Sequence, residues 1–195
     1  DPEHREGDEQ HGQVGSDVGP VLEQGEVAQG VALVPLERDE CCPGDERDRE
    51  RELALRYTMK TLEFATRVNA PLVVLHLGSV EMKDYTGKFK EMLERGEKGS
   101  SKYEKVVSEL VEKREAKKAK SVERLYASLR KVIPEAEARG IRLGCENREA
   151  LEELPFEDDF ALLFREFSSP AMTYWHDTGH AQIKENLGFI RHAEH

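Results

Sequence analysis

Apolar runs of the roughly 20 residues needed to cross a bilayer are missing from this 195-residue chain. Also missing is a basic stretch leading into an apolar one near the start, so no secretory signal is visible. Cysteine is scarce. Cys41, Cys42 and Cys145 make an odd count with two neighbours adjacent, which argues against a disulfide framework. With 35% charged residues and a mean hydropathy of −0.70, these absences lead to the expectation of a soluble, cytoplasmic protein without a membrane partner. The sharpest absence is local: residues 1–50 contain no Phe, Tyr, Trp, Ile, Met, Lys, Asn or Thr. They hold seven of the fifteen glycines, four of the eight prolines, and fifteen acidic residues against four arginines. The remainder carries twenty-five acidic and twenty-five basic residues, so the net charge of −11 belongs wholly to the first quarter. A segment with one modest apolar run, Val31-Ala32-Leu33-Val34, buries too little surface to offset its ordering entropy. Residues 1–49 are therefore expected to be a poorly structured acidic segment, disordered or foreign to the fold. A misread frame through GC-rich DNA would give the same bias. Residues 50–195 are expected to form the folded unit.

Past residue 50 the pattern changes. Leu55, Met59, Leu62 and Ala65 recur at helical spacing, with Leu53, Tyr57, Phe64 and Val68 widening the stripe, until Asn69-Ala70-Pro71 stops the helix. Leu72 to Leu77 is a short apolar run rich in β-branched residues, expected as a central parallel strand with His76 near its carboxyl end. Tyr85–Arg95 reads as a short helix, Gly96–Ser101 as a loop, and Lys102–Arg139 as a long helix that Pro134 kinks or restarts. Its Lys113–Lys120 run alternates with glutamates and lacks aromatics, so it reads as a solvated face rather than a nucleic-acid surface. Ile141–Cys145 is a further strand, with Cys145 a small core residue, and it ends in Glu146-Asn147-Arg148. Asp158 or Asp159 caps a helix over Phe160–Phe167. Ala171–Trp175 then forms a strand that runs into His176-Asp177-Thr178-Gly179-His180, followed by a polar helix over Ile183–His195 with Leu187 and Ile190 inward.

The last of these strands carries the most chemistry. Asp177 at a strand end and His180 three residues on can share a divalent metal, or act as base and substrate clamp. The plainer alternative is that Asp177 caps the next helix and His180 lies on the surface. Its company favours the first reading. Three successive strands each end in polar residues: His76; Glu146 with Asn147; Asp177 with His180. The βα alternation means parallel strands, and in a (β/α)8 barrel the active site is built from strand ends on one face.

The patterns Val73-Val74-Leu75-His76-Leu77-Gly78, Leu143-Gly144-Cys145-Glu146-Asn147-Arg148 and Trp175-His176-Asp177-Thr178-Gly179-His180 resemble the fourth, fifth and sixth strands of xylose isomerase-like TIM barrels. That superfamily includes sugar phosphate isomerases and epimerases, inosose dehydratases and metal-dependent apurinic endonucleases. The resemblance implies an α/β fold, a partial (β/α)8 barrel of about strands 4–6 with their helices. It implies a divalent ion (Mn, Mg, Zn or Co) held by Glu146, Asp177 and His180, with His76, Asn147 and His180 toward substrate and Glu146 as the catalytic group. It also implies a histidine and a glutamate on two later strands, so this chain is expected to hold half the metal shell and to be inactive alone. The activity it implies is sugar or sugar phosphate isomerisation or epimerisation through an enediolate. Apurinic endonuclease chemistry, polyol dehydration and a non-catalytic binding module are the alternatives. The expected partner is a sugar or polyol; nucleic acid is not expected, and homo-oligomerisation is left open.

Overall fold

The computed structural model describes residues 33–35 and 44–191. Its order is β1 (Leu33–Pro35), α1 (Gly44–Arg67), β2 (Leu72–His76), α2 (Tyr85–Glu94), α3 (Ser101–Ala138), β3 (Arg142–Glu146), α4 (Asp159–Glu166), β4 (Met172–Trp175) and α5 (Thr178–Asn186). The four strands form one parallel sheet in chain order, with Leu33 opposite Val74, Leu75 opposite Cys145, and Glu146 opposite Trp175. Sequential parallel strands joined by helices are the repeating unit of a (β/α)8 barrel, and the described residues make a partial one.

β1 and the first turns of α1 lie inside residues 1–49, so a boundary drawn at residue 50 cuts through elements of the sheet layer. Three strands were legible and a fourth was not, because Leu33–Pro35 is too short to show periodicity. The rest of the acidic segment, with Cys41 and Cys42, lies outside the described residues.

Alternation along each strand sorts the two sheet faces. Val73, Leu75, Leu143 and Cys145 are fully buried on the helix side, where they pack with Leu62, Leu129, Val132, Ile133, Ala136 and Leu163. Gly144 lies on the other face, where an added Cβ would meet the Trp175 Cβ at 3.3 Å and Val74 Cγ2 at 3.5 Å. His76 and Glu146 follow Val74 and Gly144 by two residues, so they share this inner face at the strands' carboxyl ends. A second cluster links α2, α3 and the end of α5, with Phe89 4.9 Å from Tyr103 and 5.2 Å from Phe189 between ring centroids.

Several local expectations are corrected. Leu53, Tyr57, Phe64 and Val68 are exposed rather than part of the α1 stripe. α3 runs unbroken for 38 residues through Pro134, because Leu129, Val132, Ile133 and Ala136 around it are buried and offset the proline's cost. Within the basic run Arg114 is buried, not solvated. The final helix starts at Thr178 and ends at Asn186, earlier at both ends than expected. α1 ends as anticipated, with Asn69 left-handed at φ 55° and the Ala70 N–H returning 2.9 Å to the Ala65 carbonyl.

Candidate metal centre

Glu146 is the last residue of β3 and is buried, with 4% of its surface exposed. A carboxylate there needs partners. Its Oε2 accepts from Arg148 Nη1 at 2.7 Å and lies 3.0 Å from Nε2 of His76, the last residue of β2. Both contacts fall on the same oxygen, so Oε1 is the one left for a cation or a proton. Burial, with the Arg148 charge adding to it, pushes the His76 imidazole below its ordinary value, so it is neutral at pH 7, with Nε2 between Glu146 Oε2 and Arg148 Nη1, the latter 3.1 Å away.

Asp177 follows β4 and caps α5: its Oδ1 accepts the His180 N–H at 2.8 Å. That hydrogen bond holds its carboxyl below the usual carboxylate value. His180, in the first turn of α5, places Nδ1 2.9 Å from the Asn147 carbonyl oxygen. A carbonyl only accepts, so Nδ1 carries the proton and Nε2 presents a lone pair. A backbone carbonyl fixing one ring nitrogen while the other faces outward is the usual support of a metal-ligating histidine.

Asn147, expected on the substrate side, has both ends of its amide engaged by backbone. It is fully buried, its Nδ2 donates to the Asp177 carbonyl at 3.0 Å, and its Oδ1 accepts the Asp177 N–H at 2.6 Å. With both ends of its amide on the Asp177 backbone, it sets the distance between the β3 and β4 ends. His176 is turned away, with its Nδ1 2.9 Å from the Tyr174 hydroxyl. Cys145 is a core residue whose thiol burial pushes up to about 12, so it is no nucleophile.

Ligand atoms of Glu146, Asp177 and His180 lie within 4.8 Å of one another. Two carboxylates and one imidazole suit a borderline or hard divalent ion, at metal–ligand distances of about 2.0–2.2 Å. The donor set therefore fits the group expected for it. His76 is held by Glu146 and Arg148 and is not part of the cluster.

The model of the family described as xylose isomerase-like TIM barrel matches residues 28–194. The chain belongs to that family. No curated protein and no solved structure matches it significantly. The match opens ahead of β1, in keeping with the strand found inside the acidic segment. Beside the strand ends described above stand two residues, Arg148 and Glu153, that sequence patterns did not single out. Arg148 links Glu146 to Glu153, which accepts from its Nε at 2.9 Å. The only signal was the charge of the Glu146-Asn147-Arg148 triplet beyond a buried strand.

Proposed function

We propose that this chain carries the metal-binding and proton-transfer residues of a sugar isomerase or epimerase, acting on a ketose-like or polyol-derived substrate, phosphorylated or not. The observation that carries the reading is the cluster of Glu146, Asp177 and His180 at the ends of adjacent parallel strands, in a chain of the xylose isomerase-like family. Glu146, Asp177 and His180 Nε2 would hold a divalent ion, which supplies electrophilic polarisation of a carbonyl and hydroxyl pair. Glu146 Oε1, through the lone pair not directed at the ion, takes the proton beside the carbonyl, leaving an enediolate. Arg148 and His76 hold Glu146 by its other oxygen, so the carboxylate cannot swing away from that proton. Asn147 keeps Asp177 in register with Glu146. His180, fixed by the Asn147 carbonyl, can instead bind a substrate oxygen.

The test is Asp177→Asn in the full-length protein. Asparagine keeps the helix cap but removes the anionic ligand. Metal-dependent ketose isomerisation should fall by at least about a hundredfold, together with bound metal. Unaltered turnover and metal content would exclude this site.

A further inference from the structure

Arg148 is unusual for a charged residue in a loop, because its guanidinium is held at both Nε and Nη1. Nη1 reaches Glu146 Oε2 at 2.7 Å and stands 3.1 Å from His76 Nε2, while Nε donates to Glu153 Oε1 at 2.9 Å. Side-chain exposures of Arg148, Glu146 and Glu153 are 18%, 6% and 13%, so the network is largely out of water. Glu153 is fixed in turn: its Oε2 accepts the Ala150 N–H at 3.0 Å. Its loop is laced to the one after β2 by Leu154 N–H to the Gly78 carbonyl at 2.7 Å and Val80 N–H to the Glu152 carbonyl at 2.7 Å.

We propose that Arg148 is a tethered counter-cation of the metal centre, sitting on Glu146 and holding down its affinity for a divalent ion, with Glu153 as the anchor. The inference rests on the metal-site reading above. A divalent ion and the guanidinium would both sit against one carboxylate. Like charges a few ångströms apart repel strongly where water is scarce. Two effects oppose each other when the guanidinium is removed. Losing a residue that orients a ligand typically weakens metal binding by about 10–100-fold. Losing a neighbouring positive charge strengthens it. Here the charge effect prevails, because His76 still holds Glu146 by the same Oε2 at 3.0 Å and preserves its orientation. Glu153 acts with the opposite sign, since its carboxylate offsets the Arg148 charge and keeps the guanidinium drawn back.

The two members of one ion pair should therefore shift metal affinity in opposite directions. The probe is Mn2+ alone, titrated by calorimetry into the full chain, with circular dichroism confirming that each variant is folded. Arg148→Met should bind Mn2+ at least about tenfold more tightly than the parent. Glu153→Gln should bind it several-fold more weakly, and Arg148→Lys, which keeps the charge, should stay within about threefold of the parent. If Arg148→Met does not fold, Arg148→Gln serves instead, since its amide still donates to Glu146 without the charge. Weakening in both Arg148→Met and Glu153→Gln would make Arg148 a structural support only and overturn the proposal. Folded parent and variants that all fail to bind Mn2+ would overturn the metal-site reading along with it.

Discussion

Asp177 stands in two placements that a sequence pattern presents as alternatives, helix cap and member of a candidate metal cluster. One carboxylate oxygen accepts the His180 N–H and caps α5, while the residue also belongs to the cluster with Glu146 and His180. A carboxylate has enough acceptor sites for both. The cap bond also sets the sign of its pH dependence. The His180 N–H holds the folded carboxyl below its usual 3.8, so its contribution to stability is complete above that value. It is then lost as pH falls through the lower folded value. Denaturant melts between pH 3 and pH 7 should show the parent losing more stability at the acid end than Asp177→Asn, which has no proton to gain. Near neutrality Asp177→Asn should stay within about 0.5 kcal/mol of the parent, since asparagine caps as well as aspartate, and Asp177→Ala should lose about 1 kcal/mol. Equal losses for the two variants would remove the capping role. His76, Glu146, Asp177 and His180 were all legible as residue types at strand ends. The spent amide of Asn147 was not, because its partner lies thirty positions away on another strand.

At the scale of elements, hydrophobic period located β2, β3, β4, α2 and α4 to within a residue or two, and α1 from Glu52 onward, because each has a buried face that its neighbours define. It failed where charge decides. Periodicity placed the whole Lys113–Lys120 run in solvent, yet Arg114 turns inward and donates to the carbonyls of Leu151, Glu152 and Glu153 at 2.9, 3.2 and 3.0 Å. It thereby binds α3 to the loop that carries Glu153, and so supports the Arg148 anchor from behind. A guanidinium with five donors can satisfy several carbonyls that would otherwise be buried and unpaired. Arg114→Met should therefore destabilise the fold by about 2–4 kcal/mol, against less than about 0.5 kcal/mol for Lys120→Ala on the exposed face. Denaturation midpoints of the two variants decide it, and similar small losses would mean that water replaces the guanidinium without cost. The exposed α1 stripe has the same lesson in reverse. Leu53, Tyr57, Phe64 and Val68 share the helix surface with buried residues, but period alone does not say which neighbours are present to cover them.

Across the molecule, the parallel sheet and the candidate metal cluster are one construction. Helix-side residues of the strands make the core, and the residues that follow them on the inner face include Glu146 and His76, so the alternation that folds the sheet also aims these two. That much could be read from three strands ending alike; β1 and the Arg148–Glu153 link could not, since one is too short to show a period and the other is set by loop geometry. The cluster draws Glu146 from β3, Asp177 from the end of β4 and His180 from α5, so an ion bound there would cross-link two βα units. An ion that binds only the folded state stabilises by mass action, about 2.7 kcal/mol at a hundred times its Kd. For a chain of this size that corresponds to a rise of about 5–10 °C in melting temperature. Thermal melts should show this shift on adding Mn2+ and its reversal with EDTA. Asp177→Asn should melt near the metal-free parent under both conditions, because its fold is intact but its ligand set is not. A rise of equal size in that variant would place the stabilising ion elsewhere on an acidic surface, and no rise in either would leave the sheet as described but remove the metal from its inner face.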